Sequence, residues 1–252
     1  MRTNLAIFLI ILFLFPFSAM GETAGENVFT SPKLGAKFVL IPAGTFIMGS
    51  PESELGRGAD ETQHQVKISW SFYLQTTEVT QGQWKRVMGS NPSYFGNCDN
   101  CPVEQVSWND VQKFISKLNA REGTDKYRLP TEDEWEYAAR AGSQSDRYGD
   151  IDDIAWYDTN SGNKTHTVGQ KLPNAWGLYD MLGNVWEWVE DRYEDYQAGS
   201  LTDPVGPSSG VNRVRRGGSW FDSAKSCRMA ARLKHPPEYG DLSLGFRLAR
   251  TP

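Results

Sequence analysis

The sequence predicts a loop-rich α+β domain with short strands and two to three helices, and three observations lead there. Nine Trp, ten Tyr and twelve Phe in 252 residues supply more ring surface than long aliphatic helices need, so the core is expected to be built from aromatic side chains. Alongside them stand 24 Gly and 13 Pro, the composition of a chain that turns often. Capped amphipathic segments are interspersed with short runs of β character, which is the pattern of mixed layers. At 39% hydrophobic and 23% charged the chain can fill one large core, and with no repeat, coiled coil or linker it reads as one domain.

The N-terminus is excluded from the fold. Arg2 precedes the unbroken apolar run Leu5–Phe17, and Ser18-Ala19-Met20-Gly21 places small residues for cleavage after Gly21. This reads as a secretory signal peptide over 1–21, followed by a flexible lead over 22–34 and a domain over 35–252. Thirteen apolar residues fall short of the roughly 20 of a spanning helix, so an uncleaved anchor is the weaker reading. The mature protein is expected in the periplasm or outside the cell, free of the membrane. A net charge of −5 argues against nucleic acid, whose phosphates need a basic surface.

Taken in order, Lys37–Pro42 reads as a strand and Gly44–Ser50 as its return. Residues 51–63 are a polar loop, and His64–Ser69 alternates into a strand expected to run on to Phe72-Tyr73-Leu74. Thr80 with Gln83 three residues later forms a capping box, opening a helix whose inner face carries Trp84, Val87 and Met88. Ser107 caps a second helix, with Asp110 in its first turn and Val111, Phe114, Ile115 and Leu118 in one stripe. Thr131 and Glu134 repeat the capping box, and Trp135, Ala138 and Ala139 face inward until Gly142 ends the helix. Residues 143–175 are turn chemistry, and Val214–Ser219 and Gly245–Arg250 read as late strands.

Between them lies Asn174–Asp191, where Trp176, Trp186 and Trp188 stand beside Asp180, Glu187, Glu190 and Asp191. Rings bury readily and carboxylates do not unless a cation or donor meets them, so a buried turn clamped by an ion or by hydrogen bonds is expected. Of the cysteines, Cys98 and Cys101 share a polar turn, and an exported protein favours a local disulfide there. Zinc would need two further ligands at suitable spacing, and a redox pair would need a βα context. Cys227 is left over and reads as a small buried hydrophobe in a core strand. His64, His166 and His235 lie in different loops with no second ligand at short spacing, so an iron triad is disfavoured.

Gly44-Thr-Phe-Ile-Met-Gly-Ser50, Glu78-Val-Thr80, Pro102–Trp108, Tyr127–Arg140, the Asn174–Asp191 block, Arg216-Gly-Gly-Ser-Trp220 and Gly245–Leu248 together resemble the formylglycine-generating enzyme (sulfatase-modifying factor) family. The resemblance covers about residues 35–250 and implies a C-type-lectin-like fold. It implies calcium held by the side chains of Asp180 and Glu187 and the carbonyls of Gly183 and Val185; the plainer alternative pairs these carboxylates with Arg or backbone donors. It places Trp186, Ser219 and Trp220 at a groove. The family's enzymes carry a copper-binding Cys pair soon after Gly-Gly-Ser. Counting from Gly217 puts Asp222 at the first position and Cys227 at the second, whereas counting back from Ala-Ala-Arg232 shifts Cys227 by three. Either way one thiol remains, and an Asp with a thiol does not make the two-coordinate soft site of Cu(I), so copper is not expected.

Three functions compete. The first is an exported, calcium-stabilised binding or accessory module taking a peptide, protein or glycan in the groove. The second is a periplasmic oxidase or tailoring enzyme with Asp222 as base and Ser219 and Cys227 beside it. The third is formylglycine generation by a single Cys.

Overall fold

The computed structural model describes residues 27–252, so the signal peptide expected over 1–21 and the start of the lead lie outside the described residues. The remainder of the lead is part of the fold. Val28–Thr30 forms β1, antiparallel to β2 (Lys37–Ile41), and Leu34 between them is buried. The ordered domain therefore begins earlier than residue 35.

A hairpin follows of β3 (Gly44–Met48) and β4 (His64–Ile68), and then β5 (Phe72–Gln75). The single strand expected from His64 to Leu74 is thus two strands in different sheets. At the break the side chain of Asp203 accepts hydrogen bonds from the Ser69 amide and hydroxyl, which occupies the groups a continuing ladder would use.

Helices α1 (Gln81–Met88), α2 (Trp108–Glu122) and α3 (Glu132–Arg140) start where their caps predicted, each with a complete capping box at Thr80, Ser107 or Thr131. α3 ends on Ala141, itself left-handed at φ 44°, one residue before the expected Gly142. Its buried face was only half anticipated. Trp135, Ala138 and Ala139 are inward, but so are Glu132, Glu136 and Arg140. Arg216, fully buried, donates to Glu132 and Glu136 and to the carbonyls of Met229 and Ala230. Arg232 grips Glu132 at 2.7 and 2.8 Å, and Arg140 returns to Glu136 at 2.7 and 2.8 Å. Buried charges are tolerated here because each has partners with good geometry.

β6 (Tyr127–Arg128) and the short α4 (Ile151–Ile154) precede β7 (Trp186–Arg192), which takes up the second half of the segment expected to be a turn. The later strands are β8 (Ser200–Thr202), β9 (Arg213–Arg216), β10 (Arg232–His235), β11 (Leu244–Phe246) and β12 (Ala249–Arg250). They assemble as three sheets, ordered β1-β2-β5-β12-β6, β10-β9-β7-β11 and β3-β4-β8. β7 is central to the second sheet, antiparallel to β9 and parallel to β11. Trp186 and Trp188 join Trp84, Phe114 and Phe246 in one core cluster, and Trp135 anchors the other. Among the described residues no helix is long and apolar enough to cross a membrane.

Candidate functional site

The predicted site residues fall into two adjoining turns at the start of β7. The first is the turn leading into it. Gly183 must be glycine, because at φ +77° a Cβ would sit 2.3 Å from the carbonyl oxygen of Trp156. That approach threads the turn against the Trp156 strand bridge and buries Asp180 and Glu187.

Their partners differ from the expected calcium set. Glu187 accepts from Arg247 through both oxygens, at 2.6 Å from Nη2 and 2.7 Å from Nε, and its Oε2 also accepts from Trp135 Nε1 at 2.7 Å. Asp180 Oδ2 accepts from the Gly169 amide at 2.6 Å, while its Oδ1 is buried with no hydrogen-bond partner. Sequence reasoning missed the third carboxylate of this cluster. Glu78 is 0% exposed, and its carboxyl meets no N–H donor but lies within hydrogen-bonding reach of the Asp180 carboxyl. Burial raises the Glu78 carboxyl well above the usual carboxylate range, and the Asp180 and Glu187 charges raise it further. Burial likewise lifts Asp180 to about 6. A proton shared between the two carboxyls satisfies this pair, as would a hard cation, which takes oxygen ligands. No set of three or more His, Cys, Asp or Glu among the described residues is arranged to hold a metal, so backbone carbonyls such as those of Gly183 and Val185 would have to complete the shell.

The second place is the turn after β9, bonded to the first: the Gly183 amide donates to the Gly217 carbonyl and the Trp220 amide to the Asn184 carbonyl, both at 2.9 Å. Gly217 and Gly218, both at positive φ, turn the chain out of β9, and a Cβ on Gly218 would lie 2.7 Å from Cys227 Sγ. The turn delivers Ser219, Trp220 and Asp222. Asp222 is half-buried and its Oδ2 accepts from Trp186 Nε1 at 2.8 Å and from the Ser219 hydroxyl. The guanidinium of Arg215 lies over the Trp186 ring, 5.0 Å from its centroid, and pairs with Asp241 at 3.5 Å. Trp186 is therefore a core residue whose indole N–H orients Asp222.

Trp220, held by a hydrogen bond from its Nε1 to the Leu242 carbonyl, begins a row of rings. Phe95 meets it edge-on at 5.3 Å, Tyr94 meets Phe95 at 5.1 Å, and Phe221 meets Trp220 at 5.2 Å. The end members of the row are exposed, Tyr94 by 68% and Phe221 by 69%. Tyr94, Phe95 and Phe221 were not anticipated, because an aromatic in a polar loop carries no periodic signal. Behind Phe95, Glu104 accepts the Phe95 amide at 2.9 Å, and burial pushes its carboxyl up to about 7. The sulfurs of Cys98 and Cys101, in the same loop, lie at bonding distance, 2.07 Å.

Cys227 is fully buried, as expected, but in a loop rather than a core strand. Burial pushes its thiol up to about 12, with the Asp222 charge adding, so it stays protonated at neutral pH and is a poor nucleophile or soft-metal ligand. The three histidines remain apart, each against its own ring: His64 on Tyr196, His166 on Trp156 and His235 on Tyr239.

Comparison with known proteins places this architecture. A model of the FGE-sulfatase family, described as the sulfatase-modifying factor enzyme 1-like domain, matches residues 25–252. Among solved structures the chain is similar to Treponema denticola variable protein 1, with 32% identity and a TM-score of 0.83 over 89% of this chain and 98% of that one. It is similar also to PvdO from Pseudomonas aeruginosa, with 31% identity and a TM-score of 0.81 over 89% and 98%. The formylglycine-generating enzyme of Mus musculus is 28% identical over 304 residues, covering 92% of this chain and 78% of that protein. The mixed α+β architecture is the C-type-lectin-like fold that the motifs implied, and the chain belongs to the FGE-sulfatase family, as a sulfatase-modifying factor enzyme 1-like domain.

Proposed function

We propose that this protein is an exported, calcium-stabilised binding or accessory module of its family, without formylglycine-generating activity. The observation that carries the reading is the row Tyr94–Phe95–Trp220–Phe221, exposed at both ends and set beside the half-buried carboxylate of Asp222. Exposed rings offer large apolar contact at low entropic cost, and a fixed carboxylate adds direction. An extended peptide suits this surface, its apolar side chains on the rings and its amide or cationic groups toward Asp222. A Cys98–Cys101 disulfide in the adjoining loop is in keeping with an oxidising compartment.

The lone free cysteine among the described residues supports the negative half of the proposal. Its thiol is enclosed, with burial raising its pKa, and by the count from Gly217 Asp222 takes the position of the enzymes' first copper-binding Cys. Peptide and glycan arrays probed with the wild type and with Asp222→Ala test the binding role; peptide ligands held by the first and lost by the second are expected. Ligands that are only glycans would redirect the proposal. Oxygen uptake on a Cys-X-Pro-X-Arg peptide, with tight Cu(I) binding, would sink it in favour of the oxidase reading.

A further inference from the structure

We propose that the cavity between the C-terminal end of α3, the end strand β3 and Trp176 binds a neutral oligosaccharide, held by aromatic rings and by glutamine and tyrosine side chains. The cavity measures about 520 Å³, within the range of small-ligand sites. It shares no lining residue with the row Tyr94–Phe95–Trp220–Phe221, so the inference stands apart from the peptide reading above.

Three distant stretches assemble its aromatic floor. Asn174 fastens Trp176 to the end of α3: its Nδ2 donates to the carbonyls of Ala138 and Ala139 at 2.7 and 3.1 Å, and its Oδ1 accepts the Trp176 amide at 3.0 Å. Trp176 thereby meets Tyr137 of α3 edge-on with centroids 4.9 Å apart, and Tyr137 meets Phe46 of β3 at 5.2 Å. Gly44 at the start of β3 makes room for the phenol, since a Cβ there would lie 2.2 Å from the Tyr137 oxygen. Trp176 and Phe46 are half-buried. Tyr137 is only 7% exposed, yet its hydroxyl has no hydrogen-bond partner among the described residues. A phenol this deep ordinarily finds one, and this one borders the cavity.

The rim is polar and offers no free charge. Thr45, Gln63, Gln65 and Gln144 are exposed there. The side chains of Thr45, Gln63 and Gln144 make no hydrogen bond among the described residues, and Gln65 accepts one from the Ser200 hydroxyl at 3.3 Å, which leaves its Nε2 free. Among the lining residues only Arg140 is charged, and its donors are engaged by Glu136 and by the carbonyls of Gly49 and Ser145. An ionic ligand would find no counter-charge. A hexose suits the site because its C–H face is apolar and lies well on a ring, while its hydroxyls donate and accept, as glutamine amides do. A peptide adding to β3, the end strand of its sheet, would bond along the backbone and need neither the phenol nor the amides.

An array of neutral oligosaccharides built from glucose, galactose, mannose and N-acetylglucosamine, set beside sialylated and sulfated glycans, tests the assignment, with calorimetry on each glycan retained. The wild type is expected to retain neutral oligosaccharides. Tyr137→Phe removes a hydroxyl that no protein group uses, so it should unfold with the wild type and weaken binding about threefold to tenfold, the effect of one hydrogen bond. Gln65→Ala and Gln144→Ala combined change only exposed side chains, and should weaken binding about tenfold at unchanged stability. Trp176→Ala should abolish it. Asp222→Ala and Phe221→Ala should leave it unchanged; loss in either would place the glycan on the ring row and overturn the assignment. Retention of charged glycans alone, or of none, overturns the proposal and leaves the peptide reading standing. Neutral-glycan binding that survives the Tyr137, glutamine and Trp176 substitutions overturns it as well. Peptides held by the wild type and Tyr137→Phe but lost by Trp176→Ala, with no glycan bound, would show strand addition at β3 instead.

Discussion

Asp191 carries its carboxyl into a nearly dry position at the end of β7, where Oδ2 accepts the Glu132 amide at 2.7 Å. Burial pushes its pKa up to about 8, and the Glu132 charge raises it further. A raised folded pKa means that the folded state holds a proton the unfolded chain releases from about pH 4 upward. The stability this proton confers is therefore complete below about pH 4 and is lost as pH rises through about 8. Asp191→Asn keeps an acceptor for the Glu132 amide and removes the titration. Its stability in urea should fall less steeply between pH 4 and 8 than that of the wild type, and parallel curves would show that Asp191 does not titrate there. Asp180 and Glu187 share one short block in the sequence, yet the carboxylate of Glu187 is met by Arg247, sixty residues further on, and Asp180 is buried beside Glu78, a hundred residues before it.

At the scale of elements, α1, α2 and α3 were legible, and α4 and β7 were not. A capping box is a contact between residues three apart, so Thr80–Gln83, Ser107–Asp110 and Thr131–Glu134 announce themselves in sequence. Thr131 accepts the Glu134 amide, and Glu134 in turn accepts the Thr131 amide while binding Arg128 at 2.6 and 2.7 Å. Thr131→Ala should cost about 1 kcal/mol in denaturant unfolding, with Thr131→Ser close to neutral; an alanine variant as stable as the wild type would show that the cap is dispensable. β7 carries no such local signal. Its first four residues, Trp186 to Val189, are all buried, so neither face is polar and the alternation that marks a half-exposed strand is missing. Its parallel partner β11 begins 58 residues later, at Leu244 opposite Trp186, and parallel pairing cannot be read from a local turn.

For the whole molecule, three sheets and their loops converge so that a rigid, aromatic core supports an aromatic surface. Phe221 belongs to that surface, and truncating an exposed side chain changes stability by only about 0.5 kcal/mol. Phe221→Ala is therefore expected to unfold with the wild type while losing retention of groove ligands by tenfold or more, as read by surface-based binding. Retention unchanged by the substitution would remove the ring row from the binding site. By itself the sequence determined the mixed fold class, the three helix starts and the inward stripe of α2. Each of these is written in short-range spacing or in a contiguous motif. Only the tertiary structure decided that β7 is a central strand, that Glu132, Glu136 and Arg140 form a buried ionic face met by Arg216 and Arg232, and that Glu187 is met by Arg247 and Trp135. Burial and charge pairing are set by residues distant in the chain, and a carboxylate's sequence neighbours do not reveal which cation reaches it.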